Sequence, residues 1–161
     1  MDKGFIVCVD DERAVIETLK EQLLRFFGET HEVEVANNGE EGLQLVKDIM
    51  QQGGSVEVVI TDQVMPGLKG DELLEEVHQL LPETIKILLT GQAGLRDAID
   101  AVNRGGLNLY IEKPWNMDEI YVDIERLIVR YRESVENQRL LRMLEQRVHE
   151  LEEQVKDFKF E

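Results

Sequence analysis

Short apolar runs alternate with longer amphipathic stretches along the whole of this chain, and that alternation leaves few ways to fold it. The runs fall at about 4–9, 31–36, 56–61, 84–89 and 107–112. Each is short and often β-branched, as a strand buried on both faces should be. Val56-Glu57-Val58-Val59-Ile60 and Ile85-Lys86-Ile87-Leu88-Leu89 are the clearest. The stretches between them read as helices. Over 12–27, Ile16, Leu19, Leu23 and Phe27 recur at spacings of three and four, an apolar stripe for one sheet face, and Gly28 follows as a C-cap. A second helix over 39–51 opens after the turn signal Asn37-Asn38-Gly39, and a third over 70–80 stops before Pro82. A fourth over 95–104 ends at Gly105-Gly106, and a fifth begins after Lys113-Pro114-Trp115. This repetition predicts an α/β fold: a doubly wound five-stranded parallel sheet with helices on both faces. Right-handed crossovers reduce the topologies to a few. In such sheets ligands gather outside the carboxyl ends of the strands, where strand order reverses. Residues that carry chemistry should therefore follow strands.

Composition narrows the function classes. The chain has 161 residues, of which 42% are hydrophobic, enough to build a core and to exclude disorder. The net charge of −16 is an acidic excess spread over both halves. Nucleic acid and anionic lipid demand a cationic footprint, so no nucleic-acid output is expected on this chain. No secretory signal and no membrane-length apolar stretch is present, so a cytoplasmic protein with no membrane partner is expected. Cys8, the only cysteine, cannot form an intramolecular disulfide and reads as a small buried hydrophobe. His31, His78 and His149 are too scattered for a metal site.

Four of the five predicted strands end in a residue with chemical capability. The first ends at Asp10-Asp11, the third at Asp62, the fourth at Thr90, and the fifth leads to Lys113. All should meet at one sheet edge. Three carboxylates brought together repel one another and need a cation, and oxygen ligands with an open coordination sphere suit Mg²⁺. A lysine and a hydroxyl beside them suit a phosphoryl group. Each residue also has a plainer reading. Asp10 or Asp11 could cap the first helix, Asp62 could form a turn before Met65-Pro66-Gly67, Thr90 could be a loop residue and Lys113 a solvated charge. Their coincidence at one edge favours the shared site.

Val9-Asp10-Asp11-Glu12, Thr61-Asp62-Gln63-Val64-Met65-Pro66-Gly67, Leu89-Thr90-Gly91 and Tyr110-Ile111-Glu112-Lys113-Pro114 resemble the signature of bacterial two-component response-regulator receiver domains. Asn38-Gly39-Glu40-Glu41-Gly42 resembles the start of that family's second helix. The likeness covers about residues 4–130 and implies the flavodoxin-like receiver fold. It also implies roles. Asp62 would be the phosphoacceptor, supplied by a sensor histidine kinase or a phosphotransfer protein. Asp11, Asp62 and the Val64 backbone carbonyl would bind Mg²⁺ directly, and Asp10 through water. Lys113 and the Thr90 hydroxyl would contact the phosphoryl oxygens, with the Val64 and Gly91 backbone N–H groups completing the cradle. The Lys113–Pro114 bond is usually cis in the family, which proline tolerates and which would aim the lysine inward.

The resemblance implies a switch as well. Once Asp62 is phosphorylated, Thr90 would swing towards the phosphoryl group and Tyr110 would turn into the vacated space. The output surface would comprise the fourth helix, fifth strand and fifth helix. The plainer reading makes Tyr110 an aromatic covering the sheet edge. Val64 lies two residues after the acceptor and Gln92 two after Thr90. Apolar Val64 cannot orient a hydrolytic water whereas Gln92 can, so a phosphoryl lifetime that is not especially short is expected. Trp115 resembles the residue after Lys-Pro in receivers feeding cyclic-dinucleotide phosphodiesterases, other enzymatic outputs or stand-alone regulators. Its plainer role is packing at the start of the fifth helix.

No helix breaker occurs from Met117 onward. Ile120, Ile124, Leu127 and Ile128 can pack on the sheet. Leu141, Leu144, Val148, Leu151, Val155 and Phe158 then alternate steps of three and four, an a/d heptad seam. Arg147 at g and Glu152 at the following e have opposite signs, which suits a parallel pair. Ser134 and Asn137 occupy seam positions upstream, where the register breaks or shifts. The expected organisation is a receiver at 1–130 and a helical extension at 131–161 that forms a coiled coil and a homodimer. The alternative is a helix folded back on its own receiver. Either an effector domain is missing or the helix is itself the output; the chain's own chemistry is limited to self-catalysed phosphotransfer and slow autodephosphorylation. Two other readings compete: a pseudo-receiver scaffold that is never phosphorylated, and a haloacid-dehalogenase-like phosphohydrolase. The second needs an aspartate two residues after the nucleophile, where this chain has Val64.

Overall fold

The computed structural model of the chain describes residues 2–91 and 106–159. The predicted fourth helix at 95–104 and Gln92 lie outside the described residues. In chain order the elements are β1 (Gly4–Val9), α1 (Arg13–Phe27), β2 (His31–Ala36), α2 (Gly39–Gln51), β3 (Val56–Asp62), α3 (Gly70–Leu80), β4 (Ile85–Thr90), β5 (Leu109–Glu112) and α4 (Met117–Lys159). The last of these is the predicted fifth helix.

The strands form one parallel sheet in the order β2-β1-β3-β4-β5. Strand order reverses between β1 and β3, so the carboxyl ends of those two strands open the crevice where α/β sheets bind ligands. The central strands β3 and β4 are buried along their full length, as continuous apolar runs predict. On one face Val7, Val9, Val59 and Leu88 pack with Val46 and Ile49 of α2 and Leu73, Leu74 and Val77 of α3. Side chains alternate along a strand, so Ile6, Cys8, Ile60 and Ile87 belong to the other face. There α1 buries Ile16, Leu19, Leu23 and Phe27, the stripe read from its spacing. The first turns of α4 bury Met117, Ile124 and Ile128, and Tyr121 stacks on Phe26 of α1 at 4.5 Å. The edge strand β2 exposes Glu32 and Glu34.

Local chemistry sets the helix limits. Asn38 caps α2 by accepting from Glu41 N at 2.8 Å, and the Glu41 carboxylate reaches back to Asn37 N at 3.1 Å. Gly28 ends α1 as expected, with its N–H donating to Leu24 O at 2.9 Å, but in right-handed rather than left-handed geometry. At the amino-terminal edge of the sheet lie buried polar groups that hydropathy conceals. His31 Nε2 and Glu57 Oε1 are 3.0 Å apart. Lys86, only 1% exposed, donates to Pro82 O at 3.0 Å and Thr84 O at 2.7 Å. Burial pulls its amine down to about 8, against the opposing charge of Glu83.

The chain divides into two units after Ile128. The second is the remainder of α4. Its seam residues Leu141, Leu144, Val148, Leu151, Val155 and Phe158 stand 43% to 82% exposed. Polar pairs decorate the same segment, among them Arg139 with Glu136 at 2.7 Å and Arg147 with Glu150 at 3.3 Å.

Candidate functional site

Residues named at four strand ends converge at the carboxyl edge of the sheet. Asp10 follows β1, Asp62 closes β3, Thr90 closes β4, and Lys113 follows β5. Lys113 Nζ lies 2.9 Å from Asp10 Oδ2 and 3.0 Å from Asp62 Oδ1, so one ammonium bridges two carboxylates. Oxygens of Asp10, Asp11 and Asp62 lie within 4.8 Å of one another. Asp10 is fully buried and Asp62 nearly so, while Asp11 is exposed. The cluster is thus rooted in the fold and open on one side.

Asp10 uses both of its carboxylate oxygens. Its Oδ1 accepts from Glu12 N at 2.9 Å, bracing the turn before α1, while Oδ2 takes the lysine. Neither Asp10 nor Asp11 is the N-cap of α1; that position is Glu12, which makes no side-chain cap bond. The Lys113–Pro114 peptide is cis, as the resemblance implied.

Desolvation pushes the Asp62 carboxyl above its ordinary range; the hydrogen bond from Lys113 opposes this and the Asp10 charge adds to it. Burial alone would lower the Lys113 amine, but hydrogen bonds to and charges on Asp10 and Asp62 outweigh it and raise the amine. Three carboxylates facing one cation leave an excess of two negative charges. That excess, with all-oxygen donors and an open side, fits a hard divalent ion such as Mg²⁺.

Thr90 and Tyr110 meet through their hydroxyls at 2.8 Å, and Thr90 Oγ1 donates to Gly91 O at 3.1 Å. Tyr110 is half-buried. Val64 is 78% exposed on the loop after Asp62, which leaves that side of the acceptor without a polar side chain at this position. Trp115 is half-buried and its indole N–H donates to Gln22 Oε1 of α1 at 2.7 Å, which is the packing role.

Sequence reasoning misses the residues that hold the β3–α3 loop. Gln63 is 3% exposed and pairs twice with Asp71. Glu40 Oε1 accepts from Leu68 N at 2.9 Å across from α2. The available signal is a polar residue directly after a buried strand, with a carboxylate eight positions on in a helix's first turn.

Comparison with known proteins agrees with this geometry. The family described as response regulator receiver domain matches residues 6–125. The chain belongs to that family. Among curated relatives, the receiver is 34% identical over 123 residues to the hydrogenase transcriptional regulatory protein HoxA of Cupriavidus necator, covering 76% of this chain and 24% of that protein. It is 29% identical over 130 residues to HoxA of Bradyrhizobium diazoefficiens, covering 81% of this chain and 25% of that protein. The chain therefore spans about a quarter of the length of these relatives. A crystal structure of a response regulator receiver domain protein from Clostridium thermocellum superposes with a TM-score of 0.70 at 31% identity, covering 80% of this chain and 97% of that one. The five-stranded flavodoxin-like receiver fold and the carboxyl-terminal helix are both present, as expected from sequence.

Proposed function

We propose that the receiver accepts a phosphoryl group on Asp62 from a phosphohistidine of a sensor histidine kinase or phosphotransfer protein. The observation that carries the reading is the Lys113 ammonium bridging Asp10 and Asp62 with Asp11 alongside. An Asp62 carboxylate oxygen would form the new O–P bond while the donor's P–N bond breaks and the imidazole leaves. Phosphoryl transfer asks a protein chiefly for placement and for neutralisation of charge. Lys113 would move from its carboxylate partners to the phosphoryl oxygens, with Thr90 Oγ1 and the Val64 and Gly91 N–H groups as further donors. Asp11, Asp62 and the Val64 carbonyl would hold Mg²⁺, with Asp10 through water; when bound, the ion supplies charge neutralisation for the transferring group. Thr90 leaving Tyr110 for the phosphoryl group would be the switch.

The chain is proposed to act as a cytoplasmic signal transducer organised as a receiver, 1–130, and a helical extension, 131–161. No helix among the described residues is long and apolar enough to cross a membrane. A homodimer through the seam of α4 is part of the proposal. Its support is the exposed apolar row, with Val148 and Val155 at a and Leu144 and Leu151 at d, the choice that favours parallel two-stranded coils. The transcriptional role in the names of its relatives belongs to those longer proteins.

Asp62→Asn should abolish acyl-phosphate labelling by a small phosphodonor with Mg²⁺. Equal labelling of that variant would overturn the assignment. A wild-type chain that never labels would point instead to an unphosphorylated scaffold, and turnover of small phosphate esters to a phosphohydrolase.

A further inference from the structure

We propose that Gln63 is the positioning residue of the acceptor loop, working with Asp71 to hold residues 63–70 in the arrangement that presents the Val64 backbone to a divalent ion and a phosphoryl group. The proposal rests on reading Asp62 as the acceptor. Gln63 directly follows that residue and is almost wholly buried. A buried amide is costly unless its polar atoms are bonded. Here both the main chain and the side chain are committed. The Gln63 N–H donates to Leu89 O at 3.1 Å, the residue before Thr90, and its carbonyl accepts from Gly70 N at 3.1 Å. Its side-chain N–H donates to Asp71 Oδ1 at 2.8 Å, and its side-chain carbonyl accepts from Asp71 N at 2.8 Å. One residue therefore ties the end of β3 to β4 and to the first turn of α3.

The loop is closed tightly around this knot. A Cβ on Gly70 would collide with the Asp62 carbonyl oxygen. On the far side Glu40 accepts from Leu68 N, and Gly67, at φ +79°, sits where a Cβ would lie 2.6 Å from Glu40 Oε1. Leucine at 63 would fill the volume but leave the Asp71 N–H and carboxylate without this partner. The loop would then keep its main-chain bonds and the Glu40 bond to Leu68 N but lose its side-chain tie to Asp71, and misplacement by a fraction of an ångström is costly in a reaction that depends on geometry.

A charge-preserving swap tests this in the full chain. Gln63→Leu, Gln63→Glu, Asp71→Asn and the double variant Gln63→Glu/Asp71→Asn would be compared with wild type. Three readouts serve: amide exchange at Leu68 and Gly70 without metal, Mg²⁺ affinity by calorimetry, and the rate of Asp62 labelling by acetyl phosphate. Gln63→Leu should speed exchange, weaken Mg²⁺ binding about tenfold and slow labelling about tenfold. Gln63→Glu, which sets two carboxylates face to face, should do at least as much harm. Asp71→Asn should resemble wild type, because its side-chain carbonyl still accepts from Gln63. The double variant should recover, since the amide introduced at position 71 donates to the carboxylate introduced at position 63 and the total charge is unchanged.

Wild-type affinity and labelling in Gln63→Leu, even with a lower melting temperature, would reduce Gln63 to an ordinary structural contact and overturn the proposal. So would a double variant no better than Gln63→Glu. If wild type itself failed to label at Asp62, the acceptor reading would fall, while the exchange data would still judge whether Gln63 orders the loop.

Discussion

Lys113 and Asp10, 103 residues apart in the chain, join at 2.9 Å with the Asp10 side chain fully buried. The same ammonium reaches Asp62, so it is the one protein cation that the described residues place in contact with this cluster. Lys113→Met would leave a buried carboxylate without its partner and should cost about 2–4 kcal/mol, tempered because the lysine is partly exposed. Urea unfolding would measure it. Added Mg²⁺ should stabilise this variant more than wild type, because a ligand that binds only the folded state shifts the unfolding equilibrium. Equal gains from Mg²⁺ in the two proteins would contradict the competition between amine and ion.

The Thr90–Tyr110 hydroxyl contact allows the proposed chemistry to be tested apart from the proposed switch. Thr90→Val should slow labelling of Asp62 by about tenfold or more, through loss of a hydroxyl at the phosphoryl group. Tyr110→Phe should leave labelling near wild type and cost about 1 kcal/mol of stability. A labelling defect as large in Tyr110→Phe would place the phenol at the reaction rather than at the switch.

Val64 offers a test of signal lifetime. Its exposed side chain stands on the acceptor loop and cannot orient water. Val64→Asn should shorten the half-life of the phosphorylated chain several-fold, because an amide can orient the attacking water though it cannot take its proton. An unchanged half-life in a decay assay would remove this position from control.

Lys86 predicts a pH dependence. Its amine titrates near 8 in the fold, below the usual lysine value reached on unfolding. Between about pH 8 and 10.5 the unfolded chain holds a proton there that the folded chain has lost, so this group's contribution to stability rises with pH through that window. Put the other way, that contribution is complete above the unfolded value and disappears as pH falls through 8. Denaturation of wild type and Lys86→Met at several alkaline pH values should show a steeper upward slope for wild type. Parallel curves would refute it.

The seam of α4 predicts orientation as well as association. In a parallel pair Arg147 faces the other copy's Glu152; in an antiparallel pair aligned on the same seam Glu145 faces Glu152. Leu144→Cys should therefore cross-link to itself on oxidation, whereas Leu144→Glu should yield a monomer in light scattering. Cys8 is buried and its thiol is pushed far up by desolvation, so it will not interfere. A monomeric wild type at high micromolar concentration would defeat the coil.

Much of this is legible in the sequence. Val56–Ile60 and Ile85–Leu89 announce central strands because full burial demands near-continuous apolar runs. Asp10, Asp62, Thr90 and Lys113 announce the site because parallel strands deliver their carboxyl ends to one edge. What stays hidden is polar pairing at a distance. A polar residue after β3 with a carboxylate eight positions on hints at the Gln63–Asp71 pair, but nothing in the spacing says that Glu40 meets Leu68, since the loop has no period. Lys86 and Glu57 look like interruptions in apolar strands; the ring of His31 in β2 accommodates Glu57, and the carbonyls of Pro82 and Thr84 just before β4 accommodate Lys86, a pairing that hydropathy does not mark.

The acidic rim of β2 bears on solubility at high concentration. A sheet that stops at β2 offers a row of unspent amide and carbonyl groups to any passing strand, and Glu32 and Glu34 flank that row with negative charge. Two such flanks repel, which steers self-association away from end-to-end sheet growth. Exchanging both for threonine would keep the fold and remove the guard, turning an orderly signalling domain into a candidate filament former.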